Sequence, residues 1–344
     1  HRVTFYFDGS QDFWKYLNRY KVDRQTEQNE YYNPAFSVPT FEGIVKLKNQ
    51  SFSDVSEIRK NVTKLKTSKH SLVFIPEEQI SIERLKQESL SVLKIFEKQF
   101  SILQRKRTYW YKYQIDTFNH SLLFIKNVDP KDHKEIHSSK FLIDTSNVLD
   151  FIKKTHDKFY ELDQNEFDLI SPINYYLSAL DISYIDAAFG MQFFALEKLL
   201  DEIINSHSVF RNEIFDKNSE IGFKQLRKKI KALIKTEVKQ KENRKLIYEK
   251  LNELNRPSFK ETLRKVLNHY EISWKDLYKS DKELAFVDIR NQIFHSNTDI
   301  KFPELYKEFI RLKSIFERII LTLISWEDLS NCPNESIMER INKE

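Results

Sequence analysis

The run LYKEFIRLKSIFERIILTLISW, residues 305–326, decides how the second half of this chain is read. Leu305, Phe309, Leu312, Ile315, Phe316, Ile319 and Ile320 recur at helical spacing and cover more than one side of the helix they define. A helix that is apolar on several sides belongs in the middle of a bundle. Its longest apolar stretch, from Ile319 to Trp326, is far shorter than the roughly 20 residues a bilayer crossing needs, so no membrane segment is expected.

Working backward from Leu305, the rhythm stays helical to about residue 146. Pro303 follows the polar loop Ser296-Asn297-Thr298-Asp299, and Ser280-Asp281-Lys282-Glu283 reads as a capping box that starts the preceding helix. Residues 258–270 form a short helix. Residues 225–255 form a strongly charged one, with Leu226, Ile230, Leu233, Ile234 and Val238 on one stripe. Ser171-Pro172 opens a long helical segment to about Ser206, with Pro in the first turn, and Ser146-Asn147 caps another through Phe159. Residues 331–344 read as a frayed polar tail, and no repeat at a fixed period occurs.

The first half has a different period. Val3-Thr4-Phe5-Tyr6-Phe7 is strand-like and runs into the turn signal Asp8-Gly9-Ser10. Residues 36–47 alternate apolar and polar side chains around Pro39 and Gly43, as an edge or bulged strand would. Residues 71–75 stop at Pro76, and 109–115 and 122–125 read as hairpin partners. Leu85, Leu90, Leu93, Phe96 and Phe100 place one helix between these strands, packed on the sheet. The expected fold class is α+β. A strand-rich mixed domain over 1–145 that binds or senses something precedes an all-α helical bundle over 146–330 and the polar tail.

Composition narrows the chemistry. At 344 residues and 41.5 kDa, two domains are the default, and 40% hydrophobic residues can fill their cores. Only 4 Gly are present and neither GxGxxG nor GxxxxGK occurs, so nucleotide-fuelled chemistry of the familiar kinds is not expected, and no cofactor is. Cys332 is the single cysteine, which excludes an internal disulfide and a cysteine zinc cluster and fits a reducing, cytoplasmic compartment. The chain opens on His1 directly before strand-like residues, which reads as a trimmed start and leaves a targeting peptide unreadable. A net charge of +5 permits nucleic-acid binding without demanding it.

The chemically richest run is Arg290-Asn291-Gln292-Ile293-Phe294-His295. With 16 Arg and 9 His, chance alone gives roughly 0.4 Arg–His pairs at this spacing, and a second one exists at Arg264 and His269. Asn directly after Arg lowers that expectation to on the order of 0.03, and only the Arg290 copy has it. At 100° per residue, His295 lies about 140° around the helix from Arg290 with Asn291 between them, while Ile289 and Ile293 point elsewhere. Arg can hold phosphate oxygens in a bidentate fork and favour the extra charge of a pentacoordinate transition state. His can take the 2′-hydroxyl proton or give one to the departing 5′-oxygen, and Asn can orient either. The plainer alternative is a His that interacts with the last helical carbonyls and an Arg on a solvated face.

The run RNQIFH, on the penultimate helix of a bundle before a polar loop and an apolar last helix, resembles the Arg-polar-x-x-x-His signature of HEPN superfamily ribonucleases. With the upstream helix carrying Ala195-Leu196-Glu197-Lys198-Leu199-Leu200 and the two-part layout, the chain looks most like the Apea-type HEPN proteins of bacterial phage defence. The resemblance covers residues 170 to 326. It implies metal-independent RNA cleavage at a composite site where two bundles bring their Arg and His residues together as a homodimer, leaving a 2′,3′-cyclic phosphate and a 5′-hydroxyl. Arg290, Asn291 and His295 match the motif, and Glu197 is a candidate for orienting His295. It further implies a role in phage defence or toxin-type growth arrest, with a phage-derived trigger or partner protein engaging the N-terminal domain. The alternative is a non-catalytic scaffold for dimerisation or docking; HEPN members of that kind usually lose the Arg or the His, and this chain keeps both.

Three other features carry two readings each. Lys224, Arg227, Lys228, Lys229, Lys231, Lys235, Lys239, Lys241, Arg244 and Lys245 form either an electrostatic track for RNA or the solvated face of an amphipathic helix. The cations and rings from Arg105 to Tyr113 suit base stacking but fit better as an ordinary half-buried strand. His133 and His137, with Asp129, Asp132 and Glu135 nearby, have metal-ligand types but read as a polar loop, so no metal is expected. No GxSxG nucleophile elbow occurs.

Overall fold

A computed structural model describes residues 1–8, 35–38, 41–49, 70–118, 121–125, 141–165, 167–207, 210, 220–251, 257–278, 282–295 and 300–341. The fold is α+β. Strands β1 (Arg2–Asp8), β2 (Ala35–Val38), β3 (Phe41–Asn49), β4 (His70–Pro76), β5 (Tyr109–Asp116) and β6 (Ser121–Ile125) form one sheet in the order β2-β3-β4-β1-β5-β6, with every neighbouring pair antiparallel. Period-two burial shows in β3, while β4 is buried on both faces from Ser71 to Phe74. Phe41, Val45 and Leu47 are buried while Glu42 and Ile44 are exposed, and Val3, Phe5 and Phe7 are buried in β1. The edge or bulged strand expected over 36–47 is two strands: β2 lies at the edge of the sheet, with a register shift between Phe36 and Val38, and pairs with β3, Val38 standing opposite Phe41. Gly43 has a steric reason: a Cβ there would stand 2.3 Å from the Ile75 carbonyl oxygen and 2.8 Å from Pro76 Cα on the paired strand.

Helix α1 (Ile82–Gln104) lies on the sheet, with Phe100 edge-on to Phe7 at 5.6 Å. Ser81 caps its start by accepting the Arg84 N–H at 3.2 Å. Its end is unusual: Arg105 takes the left-handed conformation, φ 51, normally given to Gly, and Lys106 N–H closes back on Ser101 O. The Arg105 side chain supplies the reason for a non-Gly residue there, as described below.

The helices that follow are α2 (Val148–Gln164), α3 (Ile170–Leu180), α4 (Ile185–Ser206), α5 (Glu220–Glu237), α6 (Lys241–Leu251), α7 (Phe259–His269), α8 (Ala285–His295), α9 (Phe302–Leu323) and α10 (Glu335–Ile341). Three expectations change in detail. The long segment over 171–206 is two helices, α3 and α4, and the charged one over 225–255 is also two, α5 and α6. Asn147 stands at the N-cap of α2, as expected, but its side chain makes no capping hydrogen bond; Ser146 belongs to a preceding 3-10 turn, where the Asp144 carboxylate accepts the Ser146 N–H at 2.7 Å.

Helix α9 is central, as its apolar coverage predicts, but it buries its charges too. Arg105 donates to both oxygens of Glu317 at 2.7 Å, the Tyr176 hydroxyl donates to the same carboxylate, and Lys313 Nζ lies 3.9 Å away. Arg311 pairs with Glu308, donates to Leu277 O at 2.8 Å and covers the Tyr278 ring. Arg318 makes a two-pronged pair with Asp276 at 2.7 and 2.8 Å. Burial would push the Glu317 carboxyl up, but Arg105, Lys313 and the hydrogen bonds hold it below the usual glutamate value. Burial, and then Arg105, push the Lys313 ammonium down to about 8.

These cations explain the largest correction. Residues 331–341 are not a frayed tail: Arg105 donates to Asn331 O, Arg318 and Ser314 donate to Pro333 O, and Cys332 and Met338 are buried. Buried donors need acceptors, and the backbone carbonyls of this segment supply them. One cluster of buried side chains runs from the sheet through α1 and α9 to Met338. Among the described residues no helix is long and apolar enough to cross a membrane.

Candidate functional site

Helix α8 starts later than the capping box over 280–283 implies. Leu284 is fully buried with φ 55, the first helical residue is Ala285, and Glu283 pairs with Arg264 at 3.2 Å; Ser280 and Asp281 lie outside the described residues. From there the helix buries Phe286 and Ile289, rests Ile293 against the core and turns Asn291 and Gln292 outward. Arg290 falls between these faces, 31% exposed.

Helix α4 meets it from across the bundle. Glu197 Oε1 lies 4.0 Å from Arg290 Nη2, the guanidinium carbon sits 5.4 Å from the centre of the Phe193 ring, and Arg290 Nη1 donates to Asn291 Oδ1 at 3.2 Å. The structure thus brings Arg290, Asn291 and Glu197 to one patch. His295 is the last residue of α8; its side chain and residues 296–299 lie outside the described residues. An ion pair this open contributes at most about 1 kcal/mol to stability, so its interest is geometric.

Two neighbours escaped the sequence reading. Phe193, Glu197 and Asp201 follow one another at i, i+4 and i+8, so they share a face of α4, and that spacing is the signal that would have found them. Burial pushes the Glu197 carboxyl up, Arg290 pulls it down and Asp201 pushes it up again, leaving it above its ordinary value. A carboxyl held high beside a fixed cation, at a half-exposed patch, is a combination that functional sites share with structural ion pairs.

The competing copy of the motif is dispersed. Arg264 pairs with Glu283 on the surface, and the His269 ring packs edge-on against Phe210 at 4.8 Å. The aromatic-basic stretch from Arg105 to Tyr113 is engaged inside the fold. Tyr113 stacks on Phe124 at 4.5 Å, Arg107 donates to Ser178 and Asn174 O, and Lys112 covers the Tyr6 ring. Asp129, Asp132, His133, Glu135 and His137 lie outside the described residues. Among the described residues, no group of three or more His, Cys, Asp or Glu side chains is placed to hold a metal. Comparison of the chain with protein-family models, with curated proteins and with solved structures finds no match.

Proposed function

We propose that this protein is a metal-independent endoribonuclease of the HEPN type, acting as a homodimer in phage defence or toxin-type growth arrest. The observation that carries the reading is the meeting of Glu197 with Arg290, which gathers two of the expected site residues from separate helices. His295 follows Arg290 on the last turn of the same helix. In the proposed reaction the 2′-oxygen bonds to phosphorus while the bond from phosphorus to the 5′-oxygen breaks. One imidazole takes the 2′-hydroxyl proton, and a second, from the partner copy, gives one to the 5′-oxygen. Arg290 stabilises the added charge on phosphorus, Asn291 positions the phosphate, and Glu197 orients His295. The N-terminal sheet domain would receive the trigger.

A second reading is a non-catalytic scaffold, favoured by the engagement of the Arg290 guanidinium with Glu197, Asn291 and the Phe193 ring, which is how a structural arginine behaves. Cleavage of labelled RNA by wild type and by His295→Ala, each with EDTA, separates the two. The nuclease reading expects chelator-resistant cleavage, 2′,3′-cyclic phosphate ends and at least a hundredfold loss in the variant, on the order of one general acid–base group. Equal activity in the two proteins refutes the site, and loss of activity in EDTA refutes the mechanism.

A further inference from the structure

The hairpin of α5 and α6 carries a charge asymmetry that the rest of the chain does not share. Residues 220–251 hold 11 Lys and Arg against 4 Glu, a net +7, whereas the whole chain is +5, so everything outside the hairpin is net −2. Concentrating one sign of charge on one element raises the local potential for an oppositely charged partner.

The placement is ordered. Lys224, Lys228, Lys231 and Lys235 follow on α5 at i, i+4, i+7 and i+11, within about 60° of one another around the axis and over roughly 16 Å of its length. Lys224, Lys228 and Lys235 are exposed. Lys231 joins the helices instead: its ammonium lies 5.3 Å from the centre of the Tyr248 ring, and the Tyr248 hydroxyl donates to Lys231 O at 3.2 Å. Half-buried Ile230, Ile234 and Val238 complete that inner face. No acidic residue interrupts the lysine row, since Glu237 lies beyond its end.

The partner's chemistry follows from what surrounds the row. The hairpin's two aromatic residues are withdrawn, Phe223 buried and Tyr248 half-buried, so the row offers charge without a stacking platform, which suits phosphates rather than bases. An acidic bilayer fits less well. Leu226 and Leu233, 45% and 62% exposed, lie on the side of α5 roughly opposite the row, so one flat surface cannot meet both.

We infer that α5 docks the phosphate backbone of an RNA strand along Lys224, Lys228 and Lys235 without reading its bases; the choice of RNA rests on the ribonuclease reading, while the polyanion geometry does not. The test is fluorescence anisotropy with a labelled, mixed-sequence 2′-O-methyl RNA, whose blocked nucleophile separates docking from cleavage. Wild type should bind with a log–log salt slope of roughly −2, and the Lys224→Gln/Lys228→Gln/Lys235→Gln variant with a slope near zero and an affinity lower by on the order of tenfold or more. Lys153→Gln/Lys275→Gln/Lys301→Gln, which removes the same charge elsewhere, should retain the wild-type slope. Equal slopes for wild type and the α5 variant, equal weakening by both triple variants, or binding to phosphatidylserine vesicles but not to RNA would each overturn the site. Docking lost only in the α5 variant, with unmodified RNA left uncut by wild type, would uphold this site and refute the nuclease.

Discussion

Replacing Glu317 by Gln should be strongly destabilising although it is isosteric. The carboxylate is fully buried, accepts two hydrogen bonds from Arg105 and one from Tyr176, and has Lys313 beside it. The amide keeps the volume but removes the negative charge and turns an N–H donor toward a guanidinium that has only donors. Breaking a buried pair from one side costs about 3–5 kcal/mol, because the partner cation stays buried without compensation. Against a typical total of about 5–15 kcal/mol, that is a large share of the stability. Urea unfolding of wild type, Glu317→Gln, Glu317→Leu, Arg105→Met and the double variant Arg105→Met/Glu317→Leu measures the effect, with equal m-values required for comparison. The double variant should lose much less than the sum of single losses, since two apolar side chains leave no orphaned charge from this pair. A loss below about 1 kcal/mol for Glu317→Gln, the scale of a solvated pair, would show that water reaches the cluster and that the burial argument is wrong.

Two further outcomes concern other parts of the fold. Burial pushes the His156 imidazole down from 6.5 to about 4, and His156 Nδ1 lies 3.1 Å from Gln99 Oε1. The unfolded chain therefore binds the extra proton first, so His156's contribution is complete above pH 6.5 and fades as pH falls through 4, by about 3 kcal/mol in all. His156→Gln keeps a donor for Gln99 and should flatten stability between those pH values; parallel wild-type and variant profiles would contradict the assignment. Gly43→Ala should destabilise by about 1–3 kcal/mol in thermal unfolding, because the clash is with backbone rather than a movable side chain, and a neutral result would mean that the β3–β4 pairing has a different register.

How far the sequence can be read depends on which interaction decides each element. Helices at 82–103 and 258–270 announce themselves because burial against one core face imposes a period, and the strand at 71–75, buried on both faces, does so as a short apolar run that stops at Pro76. The breaks between α3 and α4 and between α5 and α6 do not, since the apolar pattern runs through both without Gly or Pro. The docking of 331–341 was invisible for another reason: its acceptors are main-chain carbonyls, which every residue has. In the candidate site Arg290 and Asn291 come from the motif and Glu197 from the resemblance, whereas Phe193 and Asp201 share the Glu197 face by spacing and only the approach of α4 to α8 brings that face to Arg290.

The charges on α9 connect the two problems. Glu317 holds α1 through Arg105 and α3 through Tyr176, and Phe316 stacks on the Tyr176 ring at 4.8 Å. Helix α4, which brings Phe193 and Glu197 to Arg290, packs against both α3 and α9. The helices on which α4 rests are thus joined by the Glu317 cluster, while the Glu197–Arg290 pair itself contributes little to stability. Glu197→Gln should leave unfolding almost unchanged, whereas Glu317→Gln disturbs the frame on which α4 rests. The proposed nuclease would require Arg290 to exchange Glu197 for a phosphate, a swap that a buried structural arginine such as Arg105 could not make without unfolding its surroundings.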